Sequence, residues 1–512
     1  MRLRFNNPRL TGPLLFWFLL LLHCFAVPAW SGDRQQLRNH VPKSVAGLKQ
    51  NGRPDGAKNL TLAIGLPLRN QAELNNLLAE IYNPASPNFR RFITPAQFTE
   101  RFGPTEQDYQ AVIDYAKAKG FNITGTHPNR VVLDVKGKIA DVEKAFGVTL
   151  KTYKHPNEDR QFFAPDTEPS IDLAVAISNV SGLDDYSIPR PNLKRQPAAK
   201  SGSLVPFAGT APGGGYAGND FRAAYIPDVT LTGTGQSVAL VQFDSYYPSD
   251  ITAYRNQFGI PNIPLVNVPV NGGVSTPGGN NVEVCLDIEV AMAMAPGLEN
   301  IYVYIAPNPS PWVTMLSKIA NDNLSRQISC SWGGGTSDPA AEAIFLQMAA
   351  QGQSFFAASG DSDAFTGSIP FPDESPNITL VGGTTLTTSG AGGSYVSETV
   401  WNSGGGIGSS GGVSTTVNIP SWQTGINMTN NQGSTTKRNI PDVALTASNV
   451  YIRDNNGGSA TVTGTSCAAP LWAAFTALVN QHAATSGRPP GRLYQSHNLL
   501  DRLWLELQRL FL

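Results

Sequence analysis

The chain has 512 residues, of which 41% are hydrophobic and 15% charged, with 50 glycines and 38 prolines. That composition is globular, and the length is too great for one ordinary domain. A formal net charge of -1 excludes the basic footprint of a nucleic-acid-binding protein.

The charge is unevenly placed. Residues 33–200 carry 23 Lys+Arg against 18 Asp+Glu, and residues 201–470 carry 7 against 18. A basic first half beside an acidic second half predicts two domains that attract at neutral pH and loosen as carboxylates protonate.

In chain order, Arg2, Arg4 and Arg9 precede the apolar run 14–22, and Ala29-Trp30-Ser31 puts small residues before Gly32. This predicts a signal peptide over 1–31. The run is shorter than the roughly 20 residues a spanning helix needs. The mature protein is therefore expected to be secreted and extracellular, soluble, without a stable membrane span, and monomeric. Cys24 leaves with the leader. Cys285, Cys330 and Cys467 remain, an odd number that leaves a thiol over. No Cys/His spacing suits zinc.

A first domain is expected over 32–185. A strand is predicted at 61–66, followed by a helix from Asn70 with Leu74, Leu77, Leu78 and Ile81 at helical spacing. Thr94-Pro95 and Thr105 each open a further helix, and Gly120 closes the second of these. Strands at 121–124 and 131–135, a helix at 140–146 and a last strand at 148–153 complete the α+β order of a split βαβ, ferredoxin-like sandwich. His127 and His155 lie in polar, turn-rich stretches and read as surface residues. Residues 186–215 are broken by proline and glycine and basic at first, which predicts an exposed linker where activation cleavage occurs.

The second domain is expected over 216–490. Apolar strands at 237–243, 301–305, 327–331 and 354–358 alternate with helical patterns at 249–258, 311–321 and 340–350. Continuous apolar strands between helices predict a doubly wound α/β domain with a buried parallel sheet. Sites in such sheets lie at the strands' carboxyl ends.

Gly464-Thr465-Ser466-Cys467-Ala468-Ala469-Pro470 delivers a serine to the start of an apolar helical run. Ser466 is either a helix cap or a nucleophile at a helix start that favours an oxyanion. Residues 201–470 contain no histidine, which argues strongly against a Ser-His-Asp arrangement; if Ser466 is a nucleophile, a carboxylate must take its proton. The run 281–296 reads as a buried helix with Glu283 and Asp287 four apart on one face. Buried together, these two share a proton; the competing reading is a solvated acidic strip. Glu289 falls on another face and reads as surface or structural charge. Asp361, in Ser359-Gly360-Asp361-Ser362 after a buried strand, is either a turn residue or a protonated donor to an oxyanion.

Glu283-x-x-x-Asp287, Ser359-Gly360-Asp361-Ser362 and Gly464-Thr465-Ser466-x-x-x-Pro470, in that order, resemble the sedolisins, the serine-carboxyl peptidases. Ser331-Trp332-Gly333, Val381-Gly382-Gly383-Thr384, Gly411-Gly412-Val413-Ser414 and Pro441-Asp442-Val443 add to the likeness. Asn83-Pro84-x-Ser86-Pro87, Phe102-Gly103-Pro104 and Val142-Glu143-x-Ala145-Phe146 resemble the pro-kumamolisin activation domain. The resemblance implies a subtilisin-like fold and a zymogen of a serine endopeptidase acting on protein or peptide substrates at acidic pH. It further implies an intramolecular prodomain that blocks the cleft, with Ser466 as nucleophile, Glu283 as general base and acid, Asp287 as its partner and Asp361 as oxyanion donor.

Two features depart from the family. Asp363 stands where the family commonly has glycine, and its charge is expected to raise the pKa of Asp361. The family also implies Ca2+, held by an Asp-Ile pair and a later Gly-rich loop, and neither follows Pro490. Residues 491–512 form an atypical tail, read as a truncation, a frame change or an amphipathic helix. The alternative to an active enzyme is an inactive pseudo-peptidase or peptide-binding remnant lacking the calcium site.

Overall fold

The computed structural model describes residues 34–195, 209–335, 338–372, 374–429 and 431–487. The expected leader and the expected tail lie outside them.

The first domain is an antiparallel sheet with helices on it. Its strand order is Asn122–Thr126, Val132–Lys138, Asn59–Gly65, Asn179–Ser181, which is the split βαβ arrangement. One expected strand is reassigned: Leu150–Lys154 leaves this sheet and pairs with Gln50–Gly52 and Gln161–Pro165 in another. The edge position it was expected to fill is taken by Asn179–Ser181, whose three residues are too few to give a period. Helix starts follow local chemistry. Thr94 and Gln97 form a reciprocal capping box at the head of Pro95–Phe102, at 3.2 and 2.9 Å, and Thr105 accepts from Asp108 N at 3.0 Å. Such caps stabilise a helix by ~1 kcal/mol each.

The second domain is built on an eight-stranded sheet. In order, Leu265–Pro269, Asn300–Ile305, Ser237–Gln242, Gln327–Cys330, Ser354–Ala358 and Thr379–Thr388 run parallel. Val443–Thr446 pairs in parallel with Thr379–Thr388, and Tyr395–Val400 pairs with it antiparallel. Along Ser237–Gln242, Val238 and Leu240 enter one core while Ala239 and Val241 enter the other, as the two-residue period of a strand requires. Helices Asn281–Met294 and Ala468–Thr485 fill the first core. Helices Trp312–Asp322 and Pro339–Gln351 fill the second.

The two domains share that second core. Leu74, Leu78, Ile81, Phe98 and Phe102 of the first pack with Ala341, Ile344, Phe345 and Met348 of the second. Neutral hydrogen bonds frame the seam, Asn129 to Gln347 at 2.8 Å and Tyr82 to Ala349 O at 2.7 Å. Among the described residues the ion pair crossing between the halves is Arg195 with Asp454. The uneven charge of the two halves is therefore a long-range field over an apolar seam rather than a row of salt bridges.

Several expectations about single residues are corrected. His127 and His155 are buried; His127 lies 2.8 Å from Asp134, and His155 stacks on Tyr186 with ring centroids 4.8 Å apart. Glu289 is fully buried rather than on the surface and accepts from Arg453 N at 3.0 Å. Cys285 and Cys467 are both buried free thiols, so more than one thiol is left over. Among the described residues no helix is long and apolar enough to cross a membrane.

Candidate active site

Four segments converge at the carboxyl ends of the central strands. Ser331 follows Gln327–Cys330, Asp361 stands three residues after Ser354–Ala358, and Gln242 ends Ser237–Gln242. Helix Asn281–Met294 lies across them with every residue buried, and it carries Glu283 and Asp287. The turn Thr465–Cys467 brings in Ser466 and runs on into helix Ala468–Thr485.

Ser466 is not a cap. Its hydroxyl donates to Ser331 O at 3.2 Å and no cap bond forms at this turn. Glu283 and Asp287 are not on a solvated strip, because both are fully buried. Asp287 accepts from Ser331 Oγ and Gln242 Nε2, each at 2.6 Å. Neither oxygen of Glu283 has a hydrogen-bond partner.

Burial pushes Glu283 well above the usual carboxylate range, the neighbouring Asp287 pushes it further, and Ser466 and Ser331 beside it oppose the shift. Burial also raises Asp287, opposed by its donors Ser331 and Gln242. Two donors on one carboxylate and none on the other hold the charge on Asp287 and the proton on Glu283, so the pair titrates as one unit.

Asp361 does not close its own turn. Its Oδ1 accepts from Thr465 N at 2.8 Å and Thr465 Oγ1 at 2.9 Å, while Oδ2 is buried without a partner. Its pKa is pushed up to about 6 by burial, against the pull of Thr465 and of Lys194. The expected cause, Asp363, is not the source of the shift.

Residues 189–195 of the stretch read as an exposed linker lie in this cleft, and residues 196–208 of it lie outside the described residues. Arg190 and Pro191 pair antiparallel with Gly333 and Trp332, and Lys194 and Arg195 pair antiparallel with Thr463 and Val462. Pro189 O accepts from Asn308 at 2.8 Å. Between the two pairings, Asn192 N donates to Ser331 O at 3.0 Å, and Asn192 O accepts from Ser466 N at 3.1 Å. A Cβ on Gly464 would stand 2.3 Å from Asn192 O and 2.8 Å from Asp361 Oδ2. Glycine at φ +150° therefore lets the chain, the carbonyl and the carboxyl meet.

All four residues singled out in the sequence gather here. Sequence reasoning gave no role to Gln242, Ser331, Thr465 or Asn192. The signal for Gln242 was a polar residue inside the apolar run 238–243. His482 sits 16 residues beyond Ser466 along the chain on the following helix, roughly 24 Å away. Among the described residues no group of three or more His, Cys, Asp or Glu could hold a metal ion. The donors expected for Ca2+ are thus not found there, and no step below uses it.

Residues 46–186 match the pro-kumamolisin activation domain, and residues 295–497 match the subtilase family. The chain is 30% identical over 487 residues to kumamolisin of a Bacillus sp., covering 90% of this chain and 86% of that protein. It is 27% identical to sedolisin of a Pseudomonas sp., over 85% and 78% of the two chains. It is 24% identical to tripeptidyl-peptidase 1 of Canis lupus familiaris, over 93% and 89%. A likeness of that extent, spanning both the activation domain and a parallel-sheet serine peptidase domain, makes this chain a zymogen-type serine endopeptidase belonging to the sedolisin family.

Proposed function

We propose that the chain is a secreted, acid-acting serine-carboxyl endopeptidase that forms an acyl-enzyme on Ser466 and first cuts its own Asn192–Leu193 bond. The observation that carries this is the seating of residues 190–195 across Ser466, with the Asn192 carbonyl on the Ser466 amide at 3.1 Å. The layout proposed with it is a leader over 1–31, an activation domain over 32–185, a linker from 186 and a peptidase domain from 216.

Ser466 Oγ leaves Ser331 O and attacks the Asn192 carbonyl carbon, while its proton passes to Glu283 in the ionised state of that carboxyl. In that state the pair's shared proton sits on Asp287, which Ser331 and Gln242 hold in place. The oxyanion is held by Ser466 N–H and by the proton on Asp361 Oδ2. Glu283 then returns the proton to the Leu193 nitrogen as the C–N bond breaks. A water gives its proton to Glu283, attacks the ester and frees the Asn192 carboxyl, and Ser466 regains its proton. Acid operation is supported by two needs: Asp361 must be protonated, and a carboxylate base works near its own pKa.

The test is incubation of purified zymogen at acidic pH beside its Ser466→Ala variant, followed by N-terminal sequencing. The wild type is expected to yield a chain beginning at Leu193, and the variant to stay whole. Equal self-cleavage by both proteins removes Ser466 from the mechanism.

A further inference from the structure

We propose that Asp454 is a specificity determinant of the leaving-group side of the cleft, selecting arginine or lysine at the third residue after the cut. The inference rests on the register given above, with Asn192 before the cut and Arg195 third after it.

Asp454 ends the strand Val450–Asp454, which folds back at Gly458 into Gly458–Thr463. That returning strand is the one the linker's Lys194 and Arg195 pair with. Asp454 is 1% exposed, yet it faces the cleft occupant. Its Oδ2 accepts from Arg195 Nη2, and from Asn455 Nδ2 at 3.1 Å. Its Oδ1 is buried with no partner at all. A buried carboxylate with an unfilled oxygen is costly unless a cation meets it.

The groups around it do not supply that cation. Asp250, itself buried, adds negative charge beside it. Asp250 is already taken up by Asn456 N and Gly457 N at 2.8 and 2.6 Å. Arg453 lies near, but its guanidinium hydrogen-bonds Tyr451 Oη and Gly457 O at 3.5 and 3.4 Å rather than Asp454. In the zymogen the missing cation is Arg195. Once the Leu193 end withdraws after cleavage, Asp454 is left buried, acidic and unpaired. A substrate then restores the pairing only if it carries a cation at the same backbone position, which strand pairing with Val462 fixes. Arginine suits it best, because its guanidinium stays charged at every working pH and loses little hydration on pairing with a carboxylate.

Two quenched peptides decide the matter, each carrying Ile-Pro-Arg-Pro-Asn-Leu-Lys followed by arginine in one and citrulline in the other. Citrulline keeps the shape and removes the charge. Matured wild-type protein at about pH 6, chosen because burial raises Asp454 above the usual carboxylate range even beside Arg195, is expected to show kcat/KM about tenfold higher for the arginine peptide. That figure is a charge-assisted bond discounted for a half-exposed arginine. Asp454→Asn is expected to bring the ratio to about one. Should that variant fail to fold, Arg195→Gln in the zymogen reads the same contact from the other side, and self-cleavage slows by about the same factor. If neither peptide is cut, the catalytic reading falls and this inference with it. If wild type cuts both equally, or Asp454→Asn keeps the preference, the Asp454 assignment alone is overturned.

Discussion

Replacing Asp361 by asparagine separates its proton from its position. In the wild type Oδ1 is engaged by Thr465 N and Oγ1 at 2.8 and 2.9 Å, and Oδ2, without a partner, borders the same space beside Gly464 as Asn192 O. An asparagine accepts the same two bonds on Oδ1 and puts an NH2 where the acid proton stood. With Asp361 titrating at about 6, the donor is present in about a tenth of molecules one pH unit higher. The wild-type kcat/KM is therefore expected to fall roughly tenfold per unit above that value. Asp361→Asn is expected to remain active there with this alkaline limb flattened, because an amide does not titrate. Asp361→Ala deletes the donor and is expected to lose about 100- to 1,000-fold in kcat at every pH, the ordinary loss for one oxyanion donor. The assay is peptide hydrolysis by matured protein from about pH 3 to about pH 8. The reasoning is refuted if Asp361→Asn declines above pH 6 as the wild type does, or if Asp361→Ala keeps more than about a tenth of wild-type kcat.

Glu283→Gln preserves volume in a fully buried position and removes the base. Peptide hydrolysis is expected to drop by about 100- to 10,000-fold, and a variant within tenfold of wild type would sink the carboxylate mechanism. The Ser466→Ala zymogen is expected to gain thermal stability on acidification from neutral pH. Glu283, Asp287, Glu289 and Asp361 are all raised chiefly by burial, so the folded chain binds more protons than the unfolded chain between about pH 4 and the folded values. Their contribution is complete below about pH 4 and is lost as pH rises through the folded values. Asp361, moved from 3.8 to about 6, accounts for about 3 kcal/mol of this. A melting temperature that falls steadily from neutral to mildly acidic pH contradicts the argument.

Much of this protein was legible in one dimension. Strand and helix periods marked the parallel sheet, because a strand buried on both faces must be apolar throughout. The absence of histidine between 201 and 470 pointed to carboxylates as the proposed base for Ser466, and the four-residue spacing put Glu283 and Asp287 on one helical face. Local rules failed where long-range packing decided the outcome. His127, His155 and Glu289 stand among polar or turn-forming neighbours, and only the fold brings in the residues that bury them. Asn179–Ser181 is too short to show a period and gains its place by pairing with Asn59–Gly65. The cause of the Asp361 shift was sought two residues away, whereas it lies in burial beneath the Thr465 turn, more than a hundred residues on. Above all, residues 190–195 carry proline and charge and read as a free linker. Their strand partners, Trp332–Gly333 and Val462–Thr463, lie far along the chain, so only the tertiary structure could lay them across the nucleophile. Composition and spacing singled out the groups that the proposed mechanism uses. Contacts between distant segments decided which of those groups hold a proton, and which bond of the chain lies in front of them.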